Sequence, residues 1–466
     1  MTTNSGYPVP AGGIKATLVG GNTVGAALRE REPRADGHRH VDTPALVRQL
    51  REMSANTYLF GIWDAPTDWD DLREEFLPAA AAYGISVIPY LVPPSETAEH
   101  GRASRPYRLD FVGWARAMAE LSLKYPNLTA WAIDDFEFPV NAELFTPEYM
   151  TEIAGTARAI NPELCFYTCA YFGTATSERF LDRYGPYIDG IIYPFLDGDH
   201  ENTTVAASLA GCLDRILELT EPRQLDLIPL IYTGRFLDAP LPPTEGYVTE
   251  TLTVADEYAR AGRTPGVIAY GTQLDGAPTP ATDHRSMYGA GRLALVAPRA
   301  AVPAGAVAAA DQVVVVDPAS PRYEVSFWYH RSFLANGIDR GTYVLELLID
   351  DTTVWSKDVN EQRWDLWVQG DALHGPVDVT EWVAGRDQVT LTFRLRCLRD
   401  VSLGYIDVGI DNLETVGLHV RNPGFEEPAD WSLSAGGGPL LAVVDLHVPD
   451  RPARIVSAVS RSFGAR

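Results

Sequence analysis

Between residues 14 and about 295, short apolar runs alternate with longer stretches in which Leu, Ala, Val and Met recur three and four residues apart. The short runs, rich in β-branched and aromatic residues, read as buried strands, and the longer stretches as amphipathic helices. Eight strands are expected, at 14–20, 57–62, 85–92, 128–134, 164–171, 188–195, 225–232 and 266–272. Helical periods fall between them at 43–54, 111–124, 147–159, 208–219 and 251–261. Strands that alternate with helices pair in parallel, and eight repeats in about 280 residues match a closed (β/α)8 TIM barrel. An open doubly wound sheet is the alternative fold, but no glycine-rich phosphate turn opens any of these helices.

Beyond the last of these runs the helical period disappears. Residues 296–312 are rich in Ala with interspersed Pro and read as a linker, which divides the chain into a barrel domain at 1–295 and a second domain at 313–466. Alternating segments at 323–333, 343–355, 388–398 and 405–413 predict antiparallel strands of a jelly-roll-like β-sandwich. Asn422-Pro-Gly-Phe-Glu-Glu-Pro with Trp431 downstream resembles the opening strand of a carbohydrate-binding sandwich module.

Charge narrows the partners. The 466 residues carry 38 Lys and Arg against 62 Asp and Glu, a formal net charge of -24. A nucleic-acid backbone or an anionic membrane surface would be repelled, so neither is expected as a partner. No pattern bears on oligomeric state. The first thirty residues hold no basic stretch followed by an apolar core, and no apolar run approaches the length of a membrane span. Four cysteines, Cys165, Cys169, Cys212 and Cys397, are too few and scattered for a disulfide framework; Cys165 and Cys169 would lie about 13 Å apart on one strand. Reduced thiols and the absence of a leader predict a cytoplasmic protein. No cofactor motif is present and no metal-ligand spacing stands out: His38 and His40 read as loop histidines, and Asp350-Asp351 and Asp411-Asn412 as turns before calcium ligands.

Barrel chemistry sits at the carboxyl ends of the strands. Here those ends hold Trp63-Asp64, Tyr90, Asp134-Asp135-Phe136-Glu137, Tyr171, Tyr193, Tyr232 with Arg235, and Tyr270 with Gln273. Rings that stack on pyranose faces, together with carboxylates that handle hydroxyls and protons, are the chemistry of a sugar site, so an oligosaccharide or glycoside is the expected substrate. Strand alternation predicts Asp135 and Glu137 on the inward face and Asp134 on the other. Neighbouring carboxylates raise one another's pKa, and Glu137, the outermost, is the candidate acid.

Asp135-Phe-Glu137-Phe-Pro139 resembles the fourth-strand end of glycoside hydrolase family 18, the chitinases and endo-β-N-acetylglucosaminidases. Tyr187-Ile-Asp189-Gly-Ile-Ile-Tyr193, Leu227-Ile-Pro-Leu-Ile-Tyr232-Thr-Gly234-Arg235 and Gly266-Val-Ile-Ala-Tyr270 are similar to its sixth, seventh and eighth strands, over roughly residues 14–290. The first two aspartates of the family's four-acid signature correspond to Ala130 and Ile133, and Ile88-Pro-Tyr-Leu-Val-Pro-Pro stands in place of its third-strand Ser-x-Gly-Gly. The resemblance implies a retaining, substrate-assisted glycosidase. Glu137 would protonate the leaving oxygen, while Asp135 and Tyr193 orient the substrate's acetamido group. Asp134, Trp63, Asp64, Tyr90, Tyr171, Tyr232, Arg235, Tyr270 and Gln273 are the expected substrate contacts. A glycosidase of another family, with a second carboxylate from Asp64, Asp134, Asp197 or Asp275, and a non-catalytic glycan-binding barrel are the alternatives.

Overall fold

The computed structural model describes residues 14–18, 28–63, 65–100, 102–136, 141–196, 205–234, 241–279, 285–332, 339–359, 367–369 and 376–464. Eight parallel strands form where the apolar runs mark them: β1 (Ile14–Leu18), β2 (Thr57–Ile62), β3 (Ser86–Leu91), β4 (Ala130–Ile133), β5 (Cys165–Cys169), β6 (Gly190–Phe195), β7 (Asp226–Tyr232) and β8 (Gly266–Tyr270). They pair in sequence order, and β8 closes on β1 along Ile14↔Gly266 to Leu18↔Tyr270, so the sheet is a closed barrel.

The connections are α1 (Thr43–Glu52), α2 (Asp68–Asp70), a π turn at Asp71–Phe76 leading into α3 (Leu77–Ala81), α4 (Pro94–His100), α5 (Phe111–Lys124), α6 (Pro147–Ile160), α7 (Phe172–Ala175), α8 (Glu178–Tyr184), α9 (Leu209–Thr220) and α10 (Glu245–Arg260). Several start on a side-chain cap, with Asp42, Asp110, Thr146 and Thr244 accepting the first free N–H groups of α1, α5, α6 and α10. Alternate strand residues divide between two apolar layers. Leu59, Ile88, Ala130, Ala132, Ile192, Ile228 and Ile268 fill the barrel. Tyr58, Trp131, Ile133, Ile191 and Tyr193 face outward under the helices.

The stretch at 296–312 is not a linker. It falls in β9 (Gly291–Val302) and β10 (Val307–Val316), joined by a turn whose Gly305 has φ +88°. Ala306, Ala308, Ala310, Val314 and Val316 alternate into the sandwich core, so the alanines serve close sheet packing rather than flexibility.

The remaining elements are β11 (Glu324–Ser332), β12 (Tyr343–Ile349), β13 (Thr352–Asp358), β14 (Val368–Gln369), β15 (Val377–Asp378), α11 (Thr380–Val383), β16 (Gln388–Cys397), β17 (Val401–Val416), β18 (Leu418–His419), β19 (Ser432–Gly436), β20 (Leu441–Leu446) and α12 (Arg451–Gly464). One antiparallel sheet runs β13-β12-β16-β10-β18 with β19 also on β10, and the other runs β14-β11-β17-β9-β20 with β15 on β11. Between the sheets lie Leu293, Phe327, Leu345, Phe393 and Val408.

The C-terminal helix does not belong to the sandwich. In α12, Ile455, Ala458, Val459 and Phe463 join the barrel core. The helix packs along α10, Arg461 meets Glu245 at 2.7 Å, and Gly464 comes up against Ser54 just past α1. It therefore occupies the eighth helical place of the barrel, and the sandwich is inserted between β8 and that helix. Entry and exit are tied by backbone amides: Met287 and Tyr288 donate to Asp411 at 2.8 and 2.9 Å, Ala290 donates to Glu426, and Thr279 donates to the Pro449 carbonyl at 3.0 Å. Among the described residues no helix is long and apolar enough to cross a membrane.

Candidate active site

The barrel's carboxyl end is built around Asp134. Ala130 and Ala132 point into the barrel while Trp131 and Ile133 point out, so Asp134, the next even position, faces inward. Asp134, expected on the other face, is therefore inward, and a carboxylate oxygen of Asp135 lies within 4.8 Å of its own. The strand stops at Ile133, and Asp135 adopts φ +37°, which ends simple alternation. The turn is pinned on three sides. Asp134 N–H donates to Leu91 O at 2.8 Å, Phe136 N–H to Cys169 O at 2.8 Å, and Asn141 Nδ2 to Asp135 O at 3.1 Å.

The Tyr90 hydroxyl, at the end of β3, donates to Asp134 Oδ1 at 2.6 Å, and Asp135 N–H donates to the same oxygen at 2.9 Å. Burial pushes the Asp134 carboxyl above its ordinary pKa of 3.8; the donors Tyr90, Asp135 N–H and Cys169, and the charge of Arg102, pull it back only in part. Asp134 as a whole residue is partly buried.

Rings wall this carboxyl. Trp63 packs on Tyr90 with centroids 5.3 Å apart, and Tyr232 meets Tyr270 edge-on at 5.3 Å. Tyr171 and Tyr270 sit against the barrel's inner cluster, which includes Tyr232 and Trp63. The Tyr171 hydroxyl is pushed well up, by burial first and then by the Asp135 charge. Burial and the charges of Asp134, Asp135, Cys169 and Glu96 do the same to Tyr270.

Other expected contacts lie elsewhere. Tyr193 faces the outer layer, fully buried with its ring 6.3 Å from Phe172, and does not reach the mouth. Gln273 is committed to its own loop, its Nε2 donating to Asp275 Oδ1 at 3.2 Å and Ala277 O at 3.1 Å. Glu137, Asp64, Arg235 and Asp197 lie outside the described residues. Two mouth residues escaped the sequence reading, which stopped at the strand ends. Glu96, on the first turn of α4, and Arg102 pair at 2.6 Å, and the Arg102 guanidinium lies 5.7 Å from the Trp63 ring centroid.

Ligand atoms of Asp134, Asp135 and Cys169 approach one another closely enough for a metal, as do those of His40, Asp71 and Glu75. The second group is consumed internally. The two His40 ring nitrogens meet Asp71 and Asp36, and Arg34 holds Glu75. The sandwich carboxylates are likewise bound: Asp411 by three backbone amides, and Asp350 by Thr390 N–H and Arg386. A groove of about 740 Å³ on the outer face of the β10–β16 sheet is polar. Its Asp311 and Asp430 are taken by Thr392 and Arg421, and Trp431 is only 6% exposed.

No family model and no curated protein matches this chain. Solved structures do align with it. A β-glucuronidase from Bacteroides uniformis aligns over 86% of this chain and 65% of its own, at 9% identity and TM-score 0.45. A GH18 chitinase from Pseudoalteromonas aurantia aligns over 51% of this chain and 96% of its own, at 11% identity and TM-score 0.36. A thermostable mutant of a xylanase from Cellvibrio japonicus aligns over 58% of this chain and 89% of its own, at 14% identity and TM-score 0.35. At these identities and TM-scores the alignments carry no argument about this chain.

Proposed function

We propose that the chain is a glycoside hydrolase working at the carboxyl end of its barrel, where a carboxylic acid at the end of β4 protonates the glycosidic oxygen. The observation that carries this reading is Asp134, an inward carboxyl whose pKa lies above the ordinary value among Trp63, Tyr90, Tyr171, Tyr232 and Tyr270. A carboxyl that holds its proton further toward neutral pH is suited to general acid catalysis. The rings offer a sugar its stacking faces.

Two routes complete the reaction. In the route that the family resemblance carries, the substrate is an N-acetylhexosamine-containing glycan. Its acetamido oxygen attacks the anomeric carbon, Glu137 is the acid, Asp135 orients the acetamido group, and the configuration is retained. Tyr193 is buried away from the mouth, so Tyr171, whose hydroxyl feels the Asp135 charge, takes the tyrosine's part in this route. The displacement of Tyr193 favours the second route, in which a second carboxylate serves a sugar without an acetamido group and Asp134 is the acid.

The test is hydrolysis of aryl glycosides and oligosaccharides with and without a 2-acetamido group, by the wild type, Asp134→Asn and Glu137→Gln. Activity that needs the acetamido group and falls about a hundredfold or more in Glu137→Gln supports the first route. Activity indifferent to that group and lost in Asp134→Asn supports the second. No turnover of any glycoside overturns the enzyme, and tight glycan binding in its place identifies a lectin-like barrel.

A further inference from the structure

We propose that Glu96 is the second carboxylate of this site, the general base that takes a proton from the attacking water while Asp134 gives one to the leaving oxygen. The inference rests on the glycoside-hydrolase reading and gives its second route a named base.

A chain of contacts runs from Asp134 to Glu96. The Tyr90 hydroxyl holds Asp134 at 2.6 Å, the Tyr90 ring packs on Trp63 at 5.3 Å, the Arg102 guanidinium stands 5.7 Å from Trp63, and Arg102 holds Glu96 at 2.6 Å. Trp63 is seated for this role. A Cβ on Gly61 would fall 2.7 Å from the indole, so only glycine lets the ring fold back over β2. Side-chain exposure is 15% for Glu96 and 25% for Arg102, which leaves the pair partly open. Tyr270, across the mouth, feels the charges of both Asp134 and Glu96.

The two carboxyls have different surroundings. Asp134 lies in a buried corner, and burial raises its pKa more than the donors Tyr90 and Asp135 N–H and the charge of Arg102 lower it. Glu96 is held by a guanidinium, which favours its anion. Carboxyls driven apart in this way divide into an acid and a base. Glu96 also stands in the first turn of α4, beyond the end of β3, rather than on the strand itself.

In the step, a water O–H proton passes to the Glu96 carboxylate as the water oxygen bonds the anomeric carbon. The bond from that carbon to the glycosidic oxygen breaks, its electron pair goes to the leaving oxygen, and that oxygen takes the Asp134 proton. Solvent then returns the proton from Glu96 to Asp134. Attack by water from the side opposite the leaving group inverts the configuration, which needs the carboxyls roughly 6.5–9.5 Å apart. Arg102 is a positioning residue that holds Glu96 through their 2.6 Å ion pair.

The experiment measures kcat/KM against pH for the full chain and for Glu96→Gln, Glu96→Asp and Arg102→Gln, with the product anomer followed by proton NMR. Expected are an inverted product, a loss of about a hundredfold or more in Glu96→Gln with disappearance of the acidic limb, and partial activity in Glu96→Asp. Arg102→Gln keeps the limb but moves it up by about one pH unit, because the anion has lost its cation. A retained anomer, or Glu96→Gln within about threefold of wild type with its acidic limb intact, overturns the role of Glu96 and leaves the hydrolase standing. A wild type that hydrolyses no glycoside overturns both.

Discussion

Asp134 in the barrel mouth and Asp407 in the sandwich face the same cost, since burial disfavours the anion of each, yet their pKa values move in opposite directions. Asp407 lies 1% exposed beside Arg292, itself fully buried, with contacts at 3.0 Å to both oxygens; Arg285 adds a third at 3.0 Å, and His330 stands at 2.8 Å from Arg292. Burial is outweighed by the charges of Arg292, His330 and Arg285, and Asp407 falls below the ordinary 3.8. At Asp134 the hydrogen-bond donors are neutral and burial wins. Burial alone therefore does not mark a reactive carboxyl; the charge of its partners does.

The sharpest way to break this comparison is to remove the partner on one side and the acid on the other. Arg292→Leu leaves Asp407 and Asp445 buried around an apolar side chain and is expected to cost about 3–5 kcal/mol of stability, read from urea unfolding. Asp134→Asn, which abolishes the acid in the second route, leaves the urea midpoint unchanged or raised, because a buried carboxyl with a raised pKa is replaced by a neutral group of nearly the same shape whose oxygen still accepts from Tyr90 and the Asp135 amide. A loss of stability in Asp134→Asn as large as that in Arg292→Leu would make Asp134 a structural carboxyl like Asp407.

The dependence of stability on pH separates them next. Asp407, with its lowered pKa, contributes stability that is present above about 3.8 and lost as the pH falls through its folded value. Asp134, with its raised pKa, contributes fully below about 3.8 and loses that contribution as the pH rises through its folded value. Difference profiles of wild type minus Asp407→Asn and wild type minus Asp134→Asn should therefore slope in opposite senses, and parallel profiles would refute the contrast. The smallest effect belongs to Tyr90→Phe. It removes a donor that favours the anion, so the alkaline limb of kcat/KM in the second route moves up by about half to one unit.

Most of the barrel could be read in advance because each strand is a compact apolar run bounded by helical periods; the expected 57–62 is β2 itself. Which way the strand residues face was harder. In β6 every position from Gly190 to Phe195 is buried, on one side by the barrel interior and on the other by helices, so no polar position tells the faces apart and Tyr193 was placed on the wrong one. In β4 a signal did exist: Ala130 and Ala132 alternate with Trp131 and Ile133, small residues inside the crowded barrel and large ones outside, and that parity carries to Asp134. Glu96 and Arg102 were missed because a helical turn beyond β3 separates them from the strand end, and their pairing depends on the loop fold rather than on spacing. The spacing of Ile455, Ala458, Val459 and Phe463 is helical, but nothing local says that its apolar stripe belongs to a barrel nearly two hundred residues earlier.

The place of α12 has a consequence for the order in which the molecule can be made. Ribosomal synthesis delivers β8 long before the helix that covers its flank, so the emerging barrel must wait, with the stripe beside α10 and α1 bare, until the whole sandwich has been synthesised. Because every contact of α12 with the barrel spans the inserted sandwich, closing the barrel is a long-range event, and the sandwich, folding in between, determines where the closing helix is delivered.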